Sequence, residues 1–188
     1  MRKIFLMSAL ALFASNYAFA ERNPFLLAAG AGFGANSLTI YTPSDDFETD
    51  SDAGFVRSLK IGGIINQQHA LYFHGQSSSF DMNAKGESLV YEDNTSMLLG
   101  LGYTYYLKPT VGSAYVEMTT GFSSFTINDN NTDVDSSGIG FLIGAGYELN
   151  QNVQFGATFR TTTTENDSAS SEQEYGTSTI AAKVELKL

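Results

Sequence analysis

The stretch GIGFLIGAGYELNQNVQFGATFR, Gly138 to Arg160, contains two charged residues, Glu148 and Arg160, and no apolar run long enough for a membrane helix. Its large apolar side chains recur at every second position. Ile139, Phe141, Ile143, Tyr147 and Leu149 fall on one side of an extended chain, and Gly140, Gly144, Gly146 and Glu148 on the other. Such period-two alternation marks a strand with one apolar and one polar face. It continues through Val153, Phe155, Ala157 and Phe159, opposed by Gln154, Gly156, Thr158 and Arg160. Near the C-terminus, Ile180, Ala182, Val184, Leu186 and Leu188 oppose Ala181, Lys183, Glu185 and Lys187. Met97, Leu99, Leu101, Tyr103, Tyr105 and Leu107 form a further outward set, opposite Gly100, Gly102, Thr104 and Lys108.

Reading outward from this pattern, eight strands are expected, at about 25–41, 54–66, 69–81, 96–108, 113–127, 138–149, 153–164 and 177–188. The connections alternate in length. NQQ, PTVG and NQ are short, whereas TPSDDFETDSDA, Met82 to Thr95, NDNNTDVDSS and ENDSASSEQEY are long. A soluble β-sandwich has no reason to gather every long loop at one end. A barrel inserted from the periplasm does, with short turns inside and longer loops outside. Closure also pairs the edge groups that lipid would leave unsatisfied. The expected fold is therefore all-β: an eight-stranded antiparallel up-and-down transmembrane barrel, its apolar face toward lipid and its glycine-rich face toward a cramped interior. There Gly140, Gly144 and Gly146 would make room for longer side chains from neighbouring strands.

Residues 1–20 read as a secretory signal peptide: Arg2 and Lys3, an apolar segment from Ile4 to Phe13, then Ala18-Phe19-Ala20. The apolar segment is about half the span of a membrane helix, which disfavours an anchor. Cleavage after Ala20 leaves residues 21–188 as the barrel domain. It also removes two cations from a chain of net charge −10, giving −12. That balance, with no basic patch, argues against nucleic-acid binding. Cysteine is absent, so no disulfide framework is available. Tryptophan, common in interfacial belts, is also absent; 14 Phe and 10 Tyr are present to fill that role.

Four segments, LLGLGYTYYLKP, SAYVEMTTGFSSF, GFLIGAGYELNQNVQFGATFR and STIAAKVELKL, make the chain resemble a small bacterial outer-membrane β-barrel of the OmpA/OmpX-like class. The resemblance covers essentially residues 21–188 and is architectural. It implies a place in the outer membrane of a Gram-negative bacterium, among outer-membrane lipid and lipopolysaccharide. It also implies recognition by the barrel-assembly machinery through the last strand, on which Ile180, Ala182, Val184, Leu186 and Leu188 share a face. The class usually ends in an aromatic residue, where this chain has Leu188. No peptidoglycan-binding domain follows the barrel, so a cell-wall tether is not implied. A monomer is the expected form, and no cofactor is expected.

Lys60, Glu117, Glu148, Arg160, Lys183 and Glu185 fall on expected inward faces. Buried charge is costly unless partnered, so these six are expected to form a network that fills the lumen; lining a narrow polar conduit is the alternative. The acidic segments offer Asp45, Asp46, Glu48, Asp50, Asp52, Asp129, Asp133 and Asp135 as weak oxygen ligands for divalent cations, or simply as solvated loops. His69 and His74 lie on opposite faces of one strand, a poor arrangement for a shared metal. No nucleophile, base and carboxylate converge in a motif, so a lipid-modifying enzyme is disfavoured. GAGFG, Gly30–Gly34, lacks phosphate-loop spacing and reads as glycine packing within the first strand. The expected function is a non-enzymatic barrel serving envelope integrity or surface interaction; a narrow pore for ions or small polar solutes is the alternative.

Overall fold

The computed structural model describes residues 21–41, 46–48, 52–83, 90–129, 132–165 and 174–188. The expected signal peptide, Asp45 and Asp50 lie outside the described residues. The strands are β1 (Phe25–Tyr41), β2 (Asp46–Glu48), β3 (Asp52–Ile65), β4 (His69–Asn83), β5 (Val90–Tyr106), β6 (Ala114–Asp129), β7 (Thr132–Asn150), β8 (Val153–Glu165) and β9 (Glu174–Lys187). Eight of them are staves of one closed antiparallel barrel. The ninth, three-residue β2, pairs with the upper end of β1 on the side that β3 occupies lower down. Closure comes from β1 pairing with β9, from Ala28↔Lys187 to Tyr41↔Glu174. At the lower end of this seam the Leu188 N–H donates to the Leu27 carbonyl at 2.8 Å.

The register fixes the barrel's geometry. Paired residues followed once around from Gly30, through Ser58, Gln76, Leu98, Ser123, Gly138, Thr164 and Tyr175, return to β1 at Ile40, ten residues further along. With eight staves, that shear sets a tilt of about 40°. A barrel this narrow has an interior that side chains fill.

Alternation holds on both faces. Leu59, Phe73, Leu101, Phe122, Ile139, Ile180 and their neighbours face outward, while Lys60, His74, Glu117, Arg160 and Lys183 are buried inside. Glycines make space for the larger inward groups. A Cβ at Gly140 would stand 2.8 Å from Leu98 Cδ1, one at Gly144 3.0 Å from Glu117 Cγ, and one at Gly146 2.5 Å from the Tyr115 hydroxyl. The first periplasmic turn places Asn66 and Gln67 at φ of 49° and 60°, with the Gln68 N–H donating to the Ile65 carbonyl at 3.3 Å. Two successive left-handed residues are what a primed hairpin turn requires.

Several strands run past their expected ends. The NDNNTDVDSS segment is mostly paired strand, with Asn128↔Asp133 and Asp129↔Thr132. Asp129, Asp133 and Asp135 thus belong to β6 and β7 rather than to a loop. Polar sequence misled the reading here, because backbone pairing continues above the membrane, where the outward face no longer has to be apolar.

Candidate functional site

The described charges inside the barrel form two groups and one solitary member. The central group is a closed square of four side chains drawn from three staves, one each on β3 and β6 and two on β9. Lys60 Nζ lies 2.5 Å from Glu117 Oε2 and 2.8 Å from Glu185 Oε2, and Lys183 Nζ lies 2.9 Å from Glu117 Oε1 and 3.0 Å from Glu185 Oε1. Each cation meets both carboxylates and each carboxylate both cations. Neutral partners complete the set. Ser58 Oγ donates to Glu185 at 3.0 Å, the Gln154 side-chain amide also donates to Glu185, and the Tyr72 hydroxyl reaches both Thr104 Oγ1 at 2.9 Å and Glu117 at 3.5 Å. Such completeness is what keeps a buried ion-pair cluster tolerable.

Glu148 belongs to a second group nearer the periplasmic turns. Arg22 Nη2 lies 2.7 Å from Glu148 Oε2, and Lys187 Nζ pairs with Glu148 Oε1. The Arg22 guanidinium also donates to the carbonyls of Lys108 at 3.0 Å and Thr110 at 2.8 Å, and to that of Gln67, while its Cζ sits 4.0 Å from the centre of the Tyr106 ring. The segment before β1 is thereby tied to two periplasmic turns. Arg22 was not among the charges expected here. It precedes the first strand, next to the expected cleavage site, where nothing in the alternation assigns it a face. Lys187 is on the expected inward face, but only the register brings it to Glu148.

Arg160 stands apart from both groups, toward the extracellular end. Among the described residues no carboxylate pairs with it. Its Nη1 donates to the carbonyls of Gln76 at 3.1 Å and Ser96 at 3.2 Å, and its Nη2 to Thr179 Oγ1 at 3.2 Å. Beyond it a belt of neutral side chains hydrogen-bonds across the lumen. Asn36 Oδ1 accepts from Ser78 Oγ at 2.6 Å and Thr179 Oγ1 at 2.8 Å, Ser96 and Thr177 hydroxyls meet at 3.1 Å, and Ser136 Oγ donates to Thr164 Oγ1 at 2.9 Å. Above this hydroxyl belt, Leu38, Phe80, Phe125 and Tyr175 pack together, with Ile40 and Ile127 against them.

The remaining expected residues are dispersed. His74 is buried, its Nδ1 2.8 Å from Thr119 Oγ1, whereas His69 lies outside, its Nδ1 2.7 Å from the Tyr103 hydroxyl. Among the described residues no three His, Asp or Glu side chains group as metal ligands. Asp46 and Glu48 lie in β2, and Asp52 opens β3. Asp135 is exposed and accepts from Thr126 Oγ1 at 2.8 Å.

With this architecture in place, the comparisons decide the family. The family described as the outer membrane protein beta-barrel domain matches residues 5–187. The chain belongs to that family. Among solved structures, this outer-membrane barrel is similar to Neisserial surface protein A, with a TM-score of 0.53 at 18% identity over 88% of this chain and 98% of that one. It is also similar to the outer membrane protein OprG from Pseudomonas aeruginosa, with a TM-score of 0.52 at 12% identity over 91% and 99% of the two chains. At these identities the likeness is one of fold. No curated protein matches the sequence significantly.

Proposed function

We propose that this outer-membrane barrel is a non-conducting, non-enzymatic element of the envelope, which acts through the surface it presents to lipid and to the cell exterior. The observation that carries the reading is the filling of the lumen at successive levels. The Arg22–Glu148–Lys187 group stands at the periplasmic end and the four-membered charge square above it. The apolar cluster around Phe125 lies toward the extracellular end. An ion following the axis would have to separate the square and then cross an apolar layer. Each step strips hydration without replacing it. The dispersal of His69, His74 and the described acidic residues supports a role without catalysis, since among the described residues no general base, nucleophile and orienting group meet.

Planar-bilayer recording on residues 21–188 tests this reading. We expect no reproducible conductance steps from the wild-type barrel. Reproducible steps that change when Glu117 and Lys183 are both replaced by alanine would overturn it in favour of a narrow charged pore.

A further inference from the structure

Arg57 is the one outward-facing charge within the apolar band among the described residues. Other exposed charges stand at the barrel's ends: Asp81, Asp135 and Glu165 toward the extracellular rim, Lys108 beyond β5 at the periplasmic turns. Arg57 follows Ile65, Ile61 and Leu59 up the lipid face of β3, and its paired neighbours Ala31 and Ser77 are small. Its height is set by the register. Ile65 and Leu107 mark the periplasmic edge of the exposed apolar surface. The eight residues from Ile65 to Arg57 rise about 26 Å along the strand, or about 20 Å along the axis at the barrel's tilt. The apolar band of such barrels is about 25 Å tall. Arg57 therefore springs from just below the outer edge of that band. Its side chain turns upward, with Cζ 5.3 Å from the centre of the Phe55 ring, two residues nearer the cell exterior. Phe55 is itself braced edge-on by Phe33, centroids 5.5 Å apart. This is a cation lifted along an aromatic post toward the outer-leaflet headgroups.

Beneath the guanidinium lies a groove of about 210 Å³ lined by Leu59, Gly75, Ser77 and Met97. Gly75 keeps its floor open: a Cβ there would meet only Leu99 Cδ1, at 3.8 Å. The geometry points to a binding site for a phosphorylated, acylated glycolipid of the outer leaflet, the chemistry of lipid A in lipopolysaccharide. A phosphate sits on the Arg57 guanidinium, and one acyl chain descends the groove past Gly75 between Leu59 and Met97. The charge explains the anion, the half of the bilayer explains the leaflet, and the groove explains the acyl chain. A guanidinium suits phosphate because it offers paired donors in one plane. This inference concerns the outer wall of the barrel and goes beyond the closed-lumen reading, so either can fail without the other.

The test is direct titration of the detergent-refolded barrel, residues 21–188, with purified lipid A, read by native mass spectrometry. Arg57→Gln is expected to weaken binding roughly tenfold, the usual scale for one charge-assisted contact, and Arg57→Lys by less. Gly75→Leu, which fills the groove and leaves the charge in place, is expected to weaken it about threefold. Dephosphorylated lipid A should bind the wild type as weakly as lipid A binds Arg57→Gln. Heat-dependent gel mobility verifies that each variant is folded. Equal affinity of wild type and Arg57→Gln, equal affinity for the dephosphorylated lipid, or equal affinity for phosphatidylglycerol would each overturn the proposal.

Discussion

The lower and upper halves of the lumen fill the same narrow cylinder with different chemistry. Below, Lys60, Glu117, Lys183 and Glu185 satisfy one another by charge. Above, among the described residues, hydroxyls and Asn36 satisfy one another around the single cation Arg160, with which no carboxylate pairs, and an aromatic cluster closes over them. The difference lies in what happens when a member is lost. A neutral hydroxyl that loses its partner keeps alternatives on adjacent staves, whereas a buried cation that loses its carboxylate keeps its full desolvation penalty.

Breaking the square should therefore give the largest effect. Glu117→Ala leaves Lys60 and Lys183 sharing one carboxylate and is expected to cost about 4 kcal/mol, read as a lowered urea midpoint for unfolding from lipid vesicles. The sharper form replaces all four charges with apolar residues of similar volume. That variant should unfold at or above the wild-type midpoint, because no charge is left stranded; a large loss would mean that the square contributes more than mutual satisfaction. Phe125→Ala comes next. It removes the ring that touches Phe80 and Tyr175, at centroid distances of 6.4 and 5.8 Å. About 3 kcal/mol is expected from the cavity left behind, measured in the same unfolding experiment. Thr162→Val should be the mildest, about 1 kcal/mol. It removes a hydroxyl 2.5 Å from that of Thr177, yet Thr177 keeps Ser96 at 3.1 Å. If the threonine change cost as much as Glu117→Ala, the contrast between the two halves would be wrong.

Much of this was readable from side-chain parity. Alternation alone placed Lys60, Glu117, Glu148, Arg160, Lys183 and Glu185 on the inner face and Phe141, Phe159 and Ile180 on the outer, because a strand offers only two faces. Who meets whom was not readable. Heights drift around the barrel as the strands stagger, so Glu148 and Glu117, both inward, belong to different levels and different partners. Arg160, of the same parity, reaches backbone carbonyls in place of a carboxylate. The ends of the strands were hidden for another reason. Above the membrane the outward face of the β6–β7 hairpin meets water, so Thr126 and Asp135 are polar there while Phe125 and Ile127 turn to the inner cluster, and an apolar face no longer marks the outside.

The seam between β1 and β9 has a consequence for biogenesis. Its partners, such as Ala28 and Lys187, lie at opposite ends of the chain, so the first stave made cannot be completed until the last is available. A translation product that stopped before β9 would leave two unpaired edges with no water to satisfy them in lipid. No partial barrel of this register is a resting state in the membrane. Closure at this seam therefore doubles as a check on the completeness of the chain, performed by hydrogen bonding alone.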